Sequence, residues 1–157
     1  MMRMASSRSA PFILIIASAL AAPSRAGDAV PIQANGSFTV VGEDVDPTTG
    51  DQLFFADISG NSSHLGRITG TATETLFAPD YVSFTVEATQ VAANGDKLFL
   101  TYQGAFIDAD GDSVGTFRIT GGTGRFAGAS GSGTFVSLDG GDEVSERGTI
   151  STVGSGK

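Results

Sequence analysis

The chain has no cysteine, so it carries no disulfide, no thiol chemistry and no cysteine-based zinc or iron–sulfur site. It has one histidine, and any Ser–His–Asp hydrolase would have to use it. That residue, His64, sits in the stretch GNSSHL, read as a solvated loop entering a strand. A G-x-S-x-G nucleophile elbow is missing as well; the nearest stretch, Gly128–Gly133, has the wrong spacing. Basic residues are few and never clustered. After residue 26 six remain against seventeen acidic ones, a net charge of −11. Such a chain should repel nucleic acid and anionic membrane surfaces. No segment after residue 26 shows ten residues of helical amphipathicity, and none is apolar enough to be a membrane-spanning helix.

What is present begins with an export signal. Arg3 and Arg8 give a positive start, PFILIIASALAA (residues 11–22) an apolar run, and Ser24-Arg25-Ala26 small residues at a cleavage site. The apolar run is too short for a bilayer, which needs roughly 20 residues. Residues 1–26 are therefore expected to be a signal peptide and residues 27–157 a single domain, secreted or periplasmic.

The rest alternates short β-branched and aromatic runs with Gly/Asn/Asp turns. Strands are predicted at Ser37–Val41, Gln52–Ser59, Leu65–Phe77 and Val82–Val91, and at Lys97–Ile107, Val114–Thr120, Gly133–Leu138 and Val144–Val153. Asn94-Gly95 is a strong hairpin signal. Eight short strands joined by hairpins predict an all-β, eight-stranded antiparallel β-barrel, which leaves no sheet edge exposed. A pattern of glycine, hydroxyl, large apolar residue recurs at Gly36-Ser37-Phe38, Gly115-Thr116-Phe117, Gly133-Thr134-Phe135 and Gly148-Thr149-Ile150. It reads as a strand-entry habit, with glycine at the bend and the apolar residue inward.

The glycine-dense stretch from Gly115 to Phe135 contains Gly122-x-Gly124-x-x-Ala127, a match to the dinucleotide fingerprint. The fingerprint needs a following helix, and Gly128, Gly131 and Gly133 stand where it would run, each costing about 1 kcal/mol relative to alanine. A barrel corner explains the stretch better: glycines for the bend, with Phe126 and Ala127 plugging the barrel end in one turn. No cofactor is expected. The run Ile119–Gly131 (ITGGTGRFAGASG) resembles the GGTG-[RK]-F-x-x-A-x-G signature of the allene oxide cyclase and dirigent barrel superfamily. The likeness is nearer to secreted bacterial proteins than to the plant enzymes. It covers about 20 residues at a structural corner, so it implies a fold and not an activity. It implies an eight-stranded barrel with a central cavity, often a homotrimer.

Alternation then selects the inward polar side chains. Ile68, Gly70, Ala72, Glu74 and Leu76 share one face, which aims Glu74 inward. Val144, Glu146, Gly148 and Ile150 do the same for Glu146, and Leu98, Leu100 and Tyr102 for Tyr102. Asp57 shares a face with Leu53 and Phe55. Inward phenylalanines at 55, 84, 106, 117 and 135 could fill the barrel. Glu74, Tyr102 and Glu146 are the candidate pocket set, since a carboxyl in an apolar barrel has a raised pKa and can act as acid or base. A salt bridge to Arg118 or Arg147 would instead make an inward carboxylate structural. Asp108-Ala109-Asp110-Gly111-Asp112 reads as an acidic hairpin turn and a weak calcium candidate, lacking the glutamate that closes an EF-hand.

Three functional classes follow. The favoured one is a non-enzymatic exported barrel that binds a small apolar ligand or has a structural role. The second is a cyclase, isomerase or dirigent-like enzyme, which requires Glu74, Tyr102 and Glu146 to converge on a cavity of roughly 300 Å³ or more. The third is a calcium-dependent adhesion or matrix protein using the acidic turns.

Overall fold

The structure, a computed structural model, describes residues 27–152; the expected signal peptide lies outside them. The strands are β1 (Val30–Val45), β2 (Gln52–Ser62), β3 (Gly66–Leu76), β4 (Ser83–Ala92), β5 (Lys97–Phe106), β6 (Ser113–Gly122), β7 (Ser130–Leu138) and β8 (Glu143–Ser151). Each pairs antiparallel with the next, and β8 pairs with β1, closing an eight-stranded barrel in chain order. The described residues contain no α-helix, only one-turn 3₁₀ segments at Gly124–Phe126 and Asp139–Gly141. None is long and apolar enough to cross a membrane.

Closure depends on β1, which is much longer than its apolar core SFTVV suggested. Val30–Gly36 pairs with β8 and Ala34–Val45 with β2, so one strand serves two neighbours along different parts of its length. Pro31 stands opposite Thr149 of β8 but precedes the stretch paired with β2, so on the β2 side no ladder partner needs its missing N–H. The His64 ring, half-buried rather than solvated, stands 2.7 Å by Nε2 from the Pro31 carbonyl oxygen, tying the β2–β3 turn to this segment. An extra residue in β1 shifts the register between Val40 and Gly42.

The two halves of the barrel are packed differently. At the end holding the β2–β3, β4–β5 and β6–β7 turns the interior is solid. Leu98 is completely buried and Ile150 nearly so, with Ile68 and Ile119 in the same core. Leu65 and Phe126, from the turns, fold in over that end. The glycine-dense stretch is this lid. Phe126 is 2% exposed, and the Lys97 and Thr123 backbones join β5 to the corner through Thr123 N–H to the Lys97 carbonyl at 2.8 Å. Gly124 has φ +55°, a conformation that glycine adopts freely. The residue that joins Phe126 in the core is Ala129; Ala127, expected to share the plug, is exposed.

The glycine–hydroxyl–apolar pattern has a packing cause. In β6, β7 and β8 the glycine and the large residue both face inward, and the glycine makes room for a ring on another strand. A Cβ on Gly133 would lie 2.6 Å from Phe117 Cε1, and one on Gly148 would lie 2.9 Å from Phe117 Cζ. These glycines are seats for the Phe117 ring in mid-strand, not bends at strand entry.

Candidate functional site

The other half of the barrel, under the β1–β2, β3–β4, β5–β6 and β7–β8 turns, holds a cavity of about 210 Å³. Its wall is mostly apolar. Phe38, Phe54, Phe84, Phe106, Phe135 and Tyr102 supply six aromatic rings, and small residues such as Ala56 and Ala72 leave the space between them. The rings pack on one another: centroids are 5.1 Å apart for Phe84–Phe106, 6.2 Å for Phe84–Phe135 and 5.6 Å for Tyr102–Phe135. This ring cluster holds the wall in place and gives the cavity a fixed shape. Gly111, Gly140 and Gly141 line it from the turns above.

Glu74 stands on the wall, as alternation along β3 predicts. Its cross-strand neighbours are Phe54 on β2 and Val86 on β4, neither able to hydrogen-bond a carboxylate through its side chain. Among the described residues no arginine, lysine or histidine lines the cavity. Partial burial without a partner therefore pushes the Glu74 carboxyl up from 4.5 to about 7.

Tyr102 is on the wall too, and its hydroxyl reaches down into a buried polar cluster. It donates to Glu146 Oε1 at 2.6 Å, while Gln90 Nε2 donates to the Tyr102 oxygen at 3.3 Å and lies 3.5 Å from Glu146 Oε1. All three side chains are buried. Desolvation raises the Glu146 pKa, and the bonds from Tyr102 and Gln90 act against that rise. Burial, then the neighbouring Glu146 charge, drive the Tyr102 phenol well above its ordinary value, so it stays a donor.

The sequence set of Glu74, Tyr102 and Glu146 is thus brought to one half of one barrel but split into two layers. Glu74 and Tyr102 face the cavity. Glu146 lies beneath it, bonded to Tyr102 and absent from the wall. The cavity is also smaller than the 300 Å³ the enzyme reading required. Neither alternative salt bridge forms: Arg118 and Arg147 are exposed on the outer face, and the ion pair found among the described residues joins Arg125 to Asp96 at 3.9 Å.

Two inward assignments are corrected. Phe55 and Asp57 face outward and are exposed, and Phe54 and Ala56 are the residues on the inner face. Phe84, Phe106, Phe117 and Phe135 do turn inward, but only Phe117 packs in the solid half, whereas the other three frame the cavity. Gln90, Ser113 and Ser137 are buried polar residues not expected from sequence. The alternation Val86, Ala88, Gln90, Ala92 along β4 carried the signal for Gln90.

Among the described residues, the acidic turns included, no group of three or more His, Cys, Asp or Glu side chains is placed to hold an ion. Asp108 Oδ1 accepts the backbone N–H groups of Asp110 at 3.1 Å and Asp112 at 3.0 Å, and Asp112 Oδ1 accepts that of Asp139 at 2.8 Å. These carboxylates brace the turns over the cavity. Asp110 is exposed and makes no converging set with them.

No family model and no curated protein matches the chain.

Proposed function

We propose that this protein is a non-enzymatic, exported barrel of the allene oxide cyclase and dirigent type that binds a small, largely apolar molecule in its half-open interior. The observation that carries the reading is the division of the barrel: one half is packed solid, while the other keeps about 210 Å³ free behind a wall of rings. A dry apolar void of about 150 Å³ suffices to hold benzene, so this cavity has room for one substituted ring or a short branched chain. Small residues at Ala56 and Ala72 keep it open at positions where leucine would fill it.

The test is a calorimetric titration with toluene. The wild-type protein should bind it, and Ala72→Leu, which places three more carbons in the cavity, should abolish binding while the fold persists by circular dichroism. Equal binding by both proteins would place the ligand elsewhere and overturn the reading.

One observation favours a second reading, an isomerase or cyclase. Glu74 titrates near neutrality in an apolar cavity, as proton transfer to and from a bound molecule requires. Loss of turnover of a bound candidate substrate in Glu74→Gln, with binding retained, would support it.

A further inference from the structure

We propose that the cavity selects a lipophilic cation: a protonated amine whose ammonium group meets Glu74 and whose apolar body lies among the rings. This rests on the reading of the cavity as a ligand site and adds the charge of the ligand to it.

Three features converge on a cation. First, Glu74 is a carboxyl on the cavity wall, and among the described residues no cationic side chain stands along that wall. A bound ammonium would supply the missing counter-charge, in a setting where the pair is partly shielded from water. Second, six aromatic rings line the same space, and ring faces attract cations, more strongly when water is excluded. Third, charge is divided along the barrel axis. The turns at the cavity end, residues 43–51, 77–83, 107–112 and 139–143, hold eleven acidic residues and no lysine or arginine. Arg67, Lys97 and Arg125 all lie at the solid end. An approaching cation is drawn to the cavity end and an anion is turned away from it.

Neutral ligands satisfy the apolar wall but leave the carboxyl unpaired and gain nothing from the acidic rim. Anionic ligands meet repulsion at both. The groups that face Glu74 do not compete for the role. Phe54 and Val86, its cross-strand neighbours, carry no charge, Tyr102, two strands along the wall, stays protonated, and Glu146 is engaged beneath it. Affinity for an ammonium should therefore follow the ionisation of Glu74. Between pH 8 and pH 5.5 a carboxyl that titrates at about 7 loses most of its charge, and binding should weaken about 30-fold.

The test uses two probes of nearly one shape, benzylammonium and benzyl alcohol, in calorimetric titrations of the purified protein and of Glu74→Gln at pH 8. Benzylammonium should bind the wild type at least about 10-fold more tightly than the alcohol. Glu74→Gln should remove that preference while still binding the alcohol, and the wild type should show the 30-fold loss for benzylammonium at pH 5.5. Equal binding of the two probes by the wild type, or a preference that survives Glu74→Gln, overturns the cation inference and leaves the cavity as an apolar site. Binding of neither probe overturns both readings.

Discussion

Replacing Glu74 by glutamine should stabilise the barrel, by an amount that grows with pH. The carboxyl titrates at about 7 in the folded protein against 4.5 as its ordinary value, because burial opposes its charge. Between those values the folded chain holds a proton that the unfolded chain releases. Stability then falls as pH rises through that window. The contribution is fully present below pH 4.5 and is lost once pH passes about 7. The separation of the two values corresponds to about 3 kcal/mol, and the opening of the cavity to solvent reduces the expected effect to about 2–3 kcal/mol. Glutamine is neutral throughout and nearly the same shape. The variant should therefore match the wild type within about 0.5 kcal/mol at pH 4 and exceed it by about 2–3 kcal/mol at pH 8. Urea denaturation at pH 4, 6 and 8 reads the difference directly. Contributions from the other acidic residues are common to both proteins and cancel. A difference independent of pH, or a variant less stable at pH 8, would show that Glu74 is not a half-buried carboxyl without a partner.

Other perturbations separate the two halves of the barrel. Tyr102→Phe removes the 2.6 Å bond to Glu146 and should destabilise by about 1–3 kcal/mol in thermal unfolding; a neutral result would mean that the buried cluster is not bonded as described. Phe126→Ala opens the solid end and should cost about 3–5 kcal/mol, whereas Arg125→Ala, which breaks a long and partly exposed ion pair, should cost less than about 1 kcal/mol. Gly133→Ala would push a Cβ against the Phe117 ring and the Gly148 backbone and should cost about 1–3 kcal/mol, measured by chemical denaturation. The homotrimer implied by the superfamily resemblance predicts a sedimentation mass of three chains; a monomer at all concentrations would contradict it.

The barrel was legible because its strands alternate cleanly. In Arg67–Leu76 threonines stand on one face and Ile68, Ala72 and Leu76 on the other, so the inner face, Glu74 included, could be read without a partner strand. Alternation misled at Gln52–Ser59, where apolar residues run together as Leu53-Phe54-Phe55-Ala56 and either face could have been the inner one. The first half of β1 was missed because VPIQANG carries proline, asparagine and glycine, and its pairing with β8 is a long-range fact. The depth of a residue along the barrel is equally long-range. Sequence put Glu74 and Glu146 on inner faces, but the strand stagger that leaves one on the cavity wall and the other beneath Tyr102 appears only in the closed register. Likewise the glycine seats need cross-strand neighbours before they can be told from bends.

Whether the space behind the ring wall takes a ligand is read from amide chemical shifts recorded as toluene is added. Saturable shifts should concentrate at Ala56, Ala72, Val86, Phe135 and Val144, which surround the cavity, with Ile32, Leu98 and Ile150 in the solid half unmoved. Shifts confined to the outer face, or none up to the solubility limit of toluene, would contradict a ligand site there.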